Sequence, residues 1–442
     1  MSLHSRLGQW PAFPRSGSKR RWVSEHRGTR DDFLQRHRKQ VRRALKKGWA
    51  GIAAIAGDLL YRVSDERTLR IAWDYLAEYG GQAPGPDGAR YSDRSDSEAW
   101  AMCRSIRDVI RANEYQPSEE TVKWVPKGPG RNRRPLVIQC IHDRVVQRAV
   151  VEIVQPVLNP RFCPGSFGYR PGKRVEQALA HAEFLLGQGR TIWLCVDLQD
   201  AFSRVPLPRL LDVVKKYLRA PDLTDFIRCV LGWTKVPGLR QGGPLSPLLL
   251  NLYLHHFLDR RWRAQSRRCA LIRYADDILV LCPSVAHAEQ AYDELLRLLQ
   301  PTGMTMKENR DTALRTLAVD RPAEWMGFRI TKAGENLQVE LTQNRWHSLN
   351  QSLIFAHEKA DSPVRACESI RGWVAQLGPC YPCVNRLRAY DRIAALAQSQ
   401  GFDEIPDRGV IEAVWQRAYA RWCKLRKTGF QWRSLILDDE PQ

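Results

Sequence analysis

Tyr274-Ala275-Asp276-Asp277 stands between the apolar runs Leu271-Ile272 and Ile278-Leu279-Val280-Leu281. Strand-forming residues on both sides of a short polar break predict a β-hairpin with two adjacent carboxylates at its tip. Such neighbours repel, and one is driven toward its neutral form unless a cation lies between them and other groups. Alone, an Asp-Asp pair at a turn is most often ordinary solvated turn chemistry. A second segment changes the weighting. Thr191-Ile192-Trp193-Leu194-Cys195-Val196-Asp197-Leu198 is a short apolar, β-branched run that carries one carboxylate, Asp197, at its far end. Laid beside the hairpin, this strand brings three acids together. Hard oxygen ligands of this kind suit Mg²⁺, which keeps several waters and fills its shell from substrate phosphates. Two such ions a few Å apart fit an in-line displacement at phosphorus.

Composition agrees with a chain that handles phosphates. Lys and Arg number 69 against 48 Asp and Glu, a formal charge of +21 and a pI near 9.8, the electrostatic footprint of nucleic-acid binding. Residues 1–50 hold 14 Lys/Arg and 3 Asp/Glu, with Trp10, Phe13, Trp22 and Phe33 interleaved. Rings stack on bases while cations meet the backbone, so this stretch reads as a basic RNA-binding arm ending near Gly57, with a basic helix over Arg36 to Lys47. No run of eighteen apolar residues and no signal-peptide core is present, which predicts a soluble, cytoplasmic protein without a membrane partner. Eleven scattered cysteines, an odd count, argue for reduced thiols. Cys380 and Cys383 form a single Cys-x-x-Cys without a second pair, so they read as packing residues rather than zinc ligands.

Other segments read locally. Val122 to Ile138 alternates strand residues around Gly128-Pro129-Gly130-Arg131-Asn132, a second hairpin, whose arms carry Lys127 and Arg134. Those two cations could face one triphosphate, Arg by bidentate contact and Lys as a point charge. Phe202 follows Asp197 where the chain must turn away from the strand. Ser246-Pro247 is a helix start signal, a capping hydroxyl followed by a residue whose missing N–H costs nothing in the first turn, and the helix is predicted over Leu248 to Trp262. Gly242 and Gly243 allow backbone to approach a ligand closely.

In order and spacing, Asp197-Leu198-Gln199-Asp200-Ala201-Phe202, Gln241-Gly242-Gly243-Pro244-Leu245-Ser246-Pro247 and Tyr274-Ala275-Asp276-Asp277 resemble three core motifs of reverse transcriptases, in the form of the bacterial group II intron lineage. Trp124-Val125-Pro126-Lys127, Arg134-Pro135-Leu136-Val137-Ile138, Asp143-Arg144-Val145-Val146-Gln147 and Ser166-Phe167-Gly168-Tyr169-Arg170-Pro171-Gly172 resemble its fingers and palm. Trp325-Met326-Gly327-Phe328 resembles its closing palm hairpin, and Ile370-Arg371-Gly372-Trp373 its maturase-like thumb. The resemblance spans roughly residues 60 to 425. It implies an α+β right-hand polymerase fold, fingers and palm with antiparallel sheet packed by helices, plus an all-α thumb. It implies Asp197, Asp276 and Asp277 as catalytic, and the same three with Leu198 as ligands of two Mg²⁺ ions, with Mn²⁺ as a substitute. It implies nucleotide contacts from Lys127, Arg134, Phe202 and Gln241, with Phe202 excluding a ribose 2′-hydroxyl. Template or primer contacts fall to Gly242, Tyr274, Arg170 and Gly327. The partners implied are an RNA template, dNTPs and a cDNA product.

Two departures stand out. Arg310 occupies the place where the lineage has lysine, and an arginine that stays protonated is a poor acid toward pyrophosphate. Lys307, three residues earlier, is the alternative donor. Ala201-Phe202 also stands where intron enzymes tend to carry two aromatics.

The chain divides into a basic extension (1–57), fingers and palm (58–341) and a helical thumb (342–442). Asn344 to Lys359, Pro363 to Leu377, Val384 to Ser399 and Val410 to Lys427 carry apolar residues at helical spacing. Trp373, Trp415 and Trp422 read as core of that thumb. Thr428 to Gln442 are too short for an appended endonuclease. The expected function is RNA-directed DNA synthesis, copying a partner noncoding RNA in bacterial antiviral defence. The alternatives are an endonuclease-free intron maturase and an RNA-binding splicing factor with an idle polymerase. Oligomeric state is open.

Overall fold

The computed structural model describes residues 22–126, 133–232, 237–265, 268–357 and 361–427, without the side chains of 22–31 and 126. The architecture is α+β, built on a four-stranded antiparallel sheet in the order β4 (Ala270–Tyr274), β5 (Asp277–Cys282), β3 (Ile192–Asp197), β6 (Leu314–Arg315). Side chains alternate across a pleated sheet. Leu194, Val196, Ile278 and Val280 therefore enter one hydrophobic core, and Trp193, Cys195, Leu279 and Leu281 enter another on the opposite face. A run that is apolar at every position is what a strand buried on both faces requires.

The first core joins the sheet to the helices that precede it. Ile141–Leu158 is its spine, with Val145, Val146, Val150 and Val154 fully or almost fully buried. A hairpin of β1 (Glu120–Pro126) and β2 (Arg133–Gln139) projects beside it. The tip of that hairpin, including Lys127, lies outside the described residues.

The N-terminal region departs from the expected arm. The basic helix extends over Trp22–Lys46, and Leu34, Val41 and Leu45 are buried in the first core with Ile52 of the following helix. Phe33 packs against the same core under the guanidinium of Arg67, 4.2 Å from its ring centroid, so it is covered rather than offered to a base. An amphipathic helix with an apolar stripe docks by that stripe whatever its charge. Trp10 and Phe13 lie outside the described residues, as does the side chain of Trp22.

The second core unites the far face of the sheet with the C-terminal helices. A three-stranded sheet, β7 (Ala323–Trp325), β8 (Phe328–Ala333) and β9 (Asn336–Leu341), leads into helices Gln343–Ala356, Ser362–Val374, Arg386–Ser399 and Arg408–Lys427. Trp373, Trp415 and Trp422 are buried there, as the apolar spacing predicts. Glu176 of helix Val175–Gly187 ties the last helix down, accepting two bonds from Arg421 at 2.9 and 2.8 Å. Cys380 is buried, and all eleven cysteines are free thiols. Among the described residues no helix is long and apolar enough to cross a membrane.

Trp415 fills the centre of the C-terminal core and donates its Nε1–H to the Leu377 carbonyl at 2.7 Å. Trp415→Ala removes a large buried ring and one of the two hydrogen bonds that carbonyl accepts, leaving it the Cys380 N–H alone. We expect a loss of about 3–5 kcal/mol in urea denaturation, with the midpoint moving and the slope unchanged.

Candidate active site

Antiparallel pairing of β3 with β5 sets Asp197 directly opposite Asp277. In the hairpin Tyr274 pairs with Asp277, so only Ala275 and Asp276 lie outside the strands, and the break is shorter than the sequence suggests. Ala275 takes a positive φ of 58° to close this loop. The Asp276 carbonyl accepts the Leu198 N–H at 3.2 Å, which hooks the loop onto the end of β3. The three expected acids therefore meet at one end of one sheet. Leu198 is fully buried and has no polar side-chain atom, so its main-chain oxygen is the one donor it has to offer.

The electrostatics follow from that crowding. Burial, then Asp197 and Asp276, push the Asp277 carboxyl up to about 8. Burial and Asp197 also raise Asp276. Asp197 Oδ1 is buried without a hydrogen-bond partner, while Asp197 Oδ2 receives the Lys307 ammonium. Burial acts most strongly, against the Lys307 charge, but the bond to Asp197 and the charges of Asp197, Asp276 and Glu308 together outweigh it and its pKa rises. A buried, unpartnered carboxylate oxygen beside two acids that resist ionising together is a donor set that fits a divalent cation. Among the described residues no three His, Cys, Asp or Glu side chains already close on one point. Mg²⁺ takes one or two carboxylates and completes its shell with water and phosphate.

Lys307 and Arg310 part company. Lys307 sits on Asp197, and its N–H donates to the Asp197 carbonyl at 3.0 Å. Arg310 turns away to Asp293 and lies over the Tyr292 ring. Glu308 accepts the Asp197 N–H at 2.8 Å, a contact no sequence pattern announced.

The hairpin is held from beneath by a buried guanidinium. Arg273 of β4 is fully buried and donates to Asp259 Oδ1 and Oδ2 (2.9 and 2.6 Å), Asn251 Oδ1 (2.8 Å), the Ala275 carbonyl (2.8 Å) and Ser166 Oγ (2.9 Å). Asp259 reaches it because the helix that begins at Ser246 changes to a π-helical turn over His255–Asp259. Ser246 is the first helical residue rather than the cap expected from sequence. Leu245 precedes it in helical conformation, and the Ser246 hydroxyl packs inward by Gly243.

The segment Ser166–Gly172 runs against the loop. A Cβ on Gly168 would lie 2.3 Å from the Ala275 nitrogen, and the Gly168 carbonyl accepts from Asn251 Nδ2 at 2.7 Å. Arg170 is a correction to the expected template contact. Its guanidinium bonds Asn159 Oδ1, the Asn159 carbonyl and the Cys163 and Ser166 carbonyls, and burial lowers its pKa to about 10. An arginine spent on four protein acceptors positions its loop instead of reaching a ligand.

The remaining expected residues lie on several elements. Phe202 packs partly buried against the first core, with its ring edge-on to Tyr169. Arg134 is exposed on β2. The Gln241 carbonyl accepts the Val137 N–H at 2.8 Å, and its side-chain Oε1 is buried without a partner. Gly242, at φ 108°, makes its close approach to the Val137 carbonyl, where a Cβ would sit 2.6 Å away. The closeness that glycine permits here is to protein backbone. Tyr274 is partly buried against the second core, and Met326 and Gly327, both at positive φ, form the two-residue turn between β7 and β8.

An antiparallel sheet bearing a carboxylate-tipped hairpin beside a third carboxylate is the palm architecture of a nucleic-acid polymerase. Residues 125–330 match the family model described as "Reverse transcriptase (RNA-dependent DNA polymerase)", and so form a reverse transcriptase domain. "Protein YkfC" of Escherichia coli is 28% identical over 200 residues, 41% of this chain and 51% of that protein. "Group II intron-encoded protein LtrA" of Lactococcus lactis is 26% identical over 178 residues, 38% of this chain and 29% of that protein. A chain of the solved "Partial Cas6-RT-Cas1--Cas2 complex" matches at 24% identity and a TM-score of 0.34, covering 55% of this chain and 42% of that one. The chain thus spans about half or less of the length of these relatives.

Two substitutions test the support beneath the acids. Arg273→Met strands the Asp259 carboxylate in the interior, and we expect a loss of about 3–5 kcal/mol in guanidinium denaturation, most of it recovered by adding Asp259→Leu. Gly168→Ala forces the loop outward, and should cost about 1–3 kcal/mol by the same measurement.

Proposed function

We propose that this chain is an RNA-directed DNA polymerase, a reverse transcriptase, that copies RNA into cDNA by two-metal-ion nucleotidyl transfer. The observation that carries the reading is the β3–β5 register, which sets Asp197 opposite Asp277 with Asp276 hooked onto Leu198. Asp197, Asp276, Asp277 and the Leu198 carbonyl would hold the cations. When bound, Mg²⁺ supplies charge neutralisation at the phosphates and activation of the primer hydroxyl.

The chain's own residues do the rest. Asp197 and Asp277 fix the reacting end by being mounted on two paired strands, with Asp276 in the short loop that its carbonyl hooks onto Leu198. Arg134 meets the triphosphate from the fingers hairpin, with Lys127 as its expected companion. Phe202 excludes the 2′-hydroxyl and so selects DNA precursors. Lys307, protonated and within reach of Asp197, is the proton donor toward pyrophosphate, the role its position favours over Arg310. Gln241 offers an unpartnered buried Oε1 toward the nucleotide. Gly242, Tyr274 and Gly327 contact template and primer.

The formal charge of +21 supports an RNA template, and the setting we propose is the cytoplasm. In one biological role the template is a partner noncoding RNA used in antiviral defence. Similarity to a group II intron-encoded protein supports a second, in which the template is intron RNA and the chain acts as a maturase. Sequencing the RNA that co-purifies with the protein separates them: a structured noncoding RNA supports the first, an intron core the second.

Asp276→Ala and Asp277→Ala should each lower dNTP incorporation on an RNA template by at least about 10³-fold, and chelation of divalent metal should stop synthesis until Mg²⁺ is restored. Undiminished synthesis by either variant would falsify the active-site assignment. Phe202→Ala should raise ribonucleotide incorporation relative to deoxynucleotide by about tenfold or more, read from single-nucleotide extension.

A further inference from the structure

Tyr169 is a large aromatic residue that the fold holds at a cost and leaves half exposed. Its φ is 54°, in the left-handed region, where a residue with a bulky side chain is strained by about 1–3 kcal/mol. The residue is 52% exposed. The strain is fixed from both sides. Gly168 lies against the Ala275 backbone and is bonded to Asn251, and Arg170 is anchored by four acceptors. Strain that persists because neighbours over-determine it, on a residue turned toward solvent, is a mark of a functional position.

Where the ring sits gives it a task. Its centroid is 6.4 Å from that of Phe202, at an interplanar angle of 73°. Its neighbour Gly168 lies against the backbone of Ala275, one residue before Asp276, so Tyr169 is close to the acid tip and to the aromatic that follows Asp197.

We infer that Tyr169 is a specificity-determining residue whose ring, set edge-on to Phe202, forms the second aromatic wall around the sugar of the incoming nucleoside triphosphate. This rests on the polymerase reading above. Two rings at a steep angle make a corner, and a corner fixes the position of a furanose more closely than one flat surface. The ring carries the role, because a planar wall is what limits where a 2′ substituent can go.

The test is steady-state single-nucleotide extension with dNTP and rNTP on an RNA template, for wild type, Tyr169→Ala, Tyr169→Phe and Asp276→Ala. Tyr169→Ala is expected to raise KM for dNTP by about tenfold, more than it lowers kcat, and to reduce discrimination against rNTP by a similar factor. Tyr169→Phe is expected to rescue most of both losses. If Tyr169→Ala loses its thermal transition, Tyr169→Leu carries the same expectation. Wild-type KM and discrimination in the Ala and Leu variants, or a fall in kcat alone, overturns the inference while Asp276→Ala remains inactive. Full activity of Asp276→Ala instead overturns the polymerase reading beneath it.

Discussion

The buried pair of Arg273 and Asp259 is the constraint on which the catalytic end of the molecule depends. Five N–H groups of one guanidinium meet five acceptors drawn from the hairpin loop at Ala275, the helix that begins at Ser246, its π-helical turn and the Ser166 segment. Desolvating two charges is expensive, and a greasy replacement of similar volume would often be as stable. What such a replacement lacks is direction. Only a planar fork with fixed donor vectors specifies at once the height of the hairpin, the path of residue 166 and the twist of the supporting helix.

The central sheet then distributes that order to both sides. Alternate residues of β3 and β5 feed two different cores, so the acids stand at the end of strands clamped between the N-terminal helices and the C-terminal ones. The Glu176–Arg421 bond closes the second side, with a nearly buried carboxylate taking a bidentate partner from the last helix. The helices from residue 343 onward are thus packed on the same scaffold that carries Asp197, and the angle between them and the acids is set by side chains rather than by a linker.

Much of this was legible in sequence because it follows from period and order. Continuous apolar runs announced β3 and β5, the Asp positions announced their ends, and helical spacing announced Trp373, Trp415 and Trp422 as core. What escaped was decided by tertiary partners. Arg170 stands in a loop motif next to a proline, and nothing local says that four acceptors surround it. Phe33 lies in a basic stretch, yet Arg67 covers it from a helix some thirty residues on. Lys307 and Arg310 are equally basic and differ only in which face of the chain meets Asp197. Ser246-Pro247 has the chemistry of a helix start, but the preceding Leu245 is already helical and shifts the frame by one. Tyr169 gave no periodic signal at all, since its conformation is imposed by Gly168 and Arg170.

One main-chain contact has a mechanical corollary. The Val137 N–H of the fingers strand β2 is bonded to the Gln241 carbonyl, and Gly242 presses on the same residue without room for a single added carbon. The root of the hairpin and the glutamine loop are thereby yoked. A displacement of β2 at Val137 therefore cannot leave Gln241 behind without breaking this bond, so the root of the hairpin and the glutamine loop move as one piece.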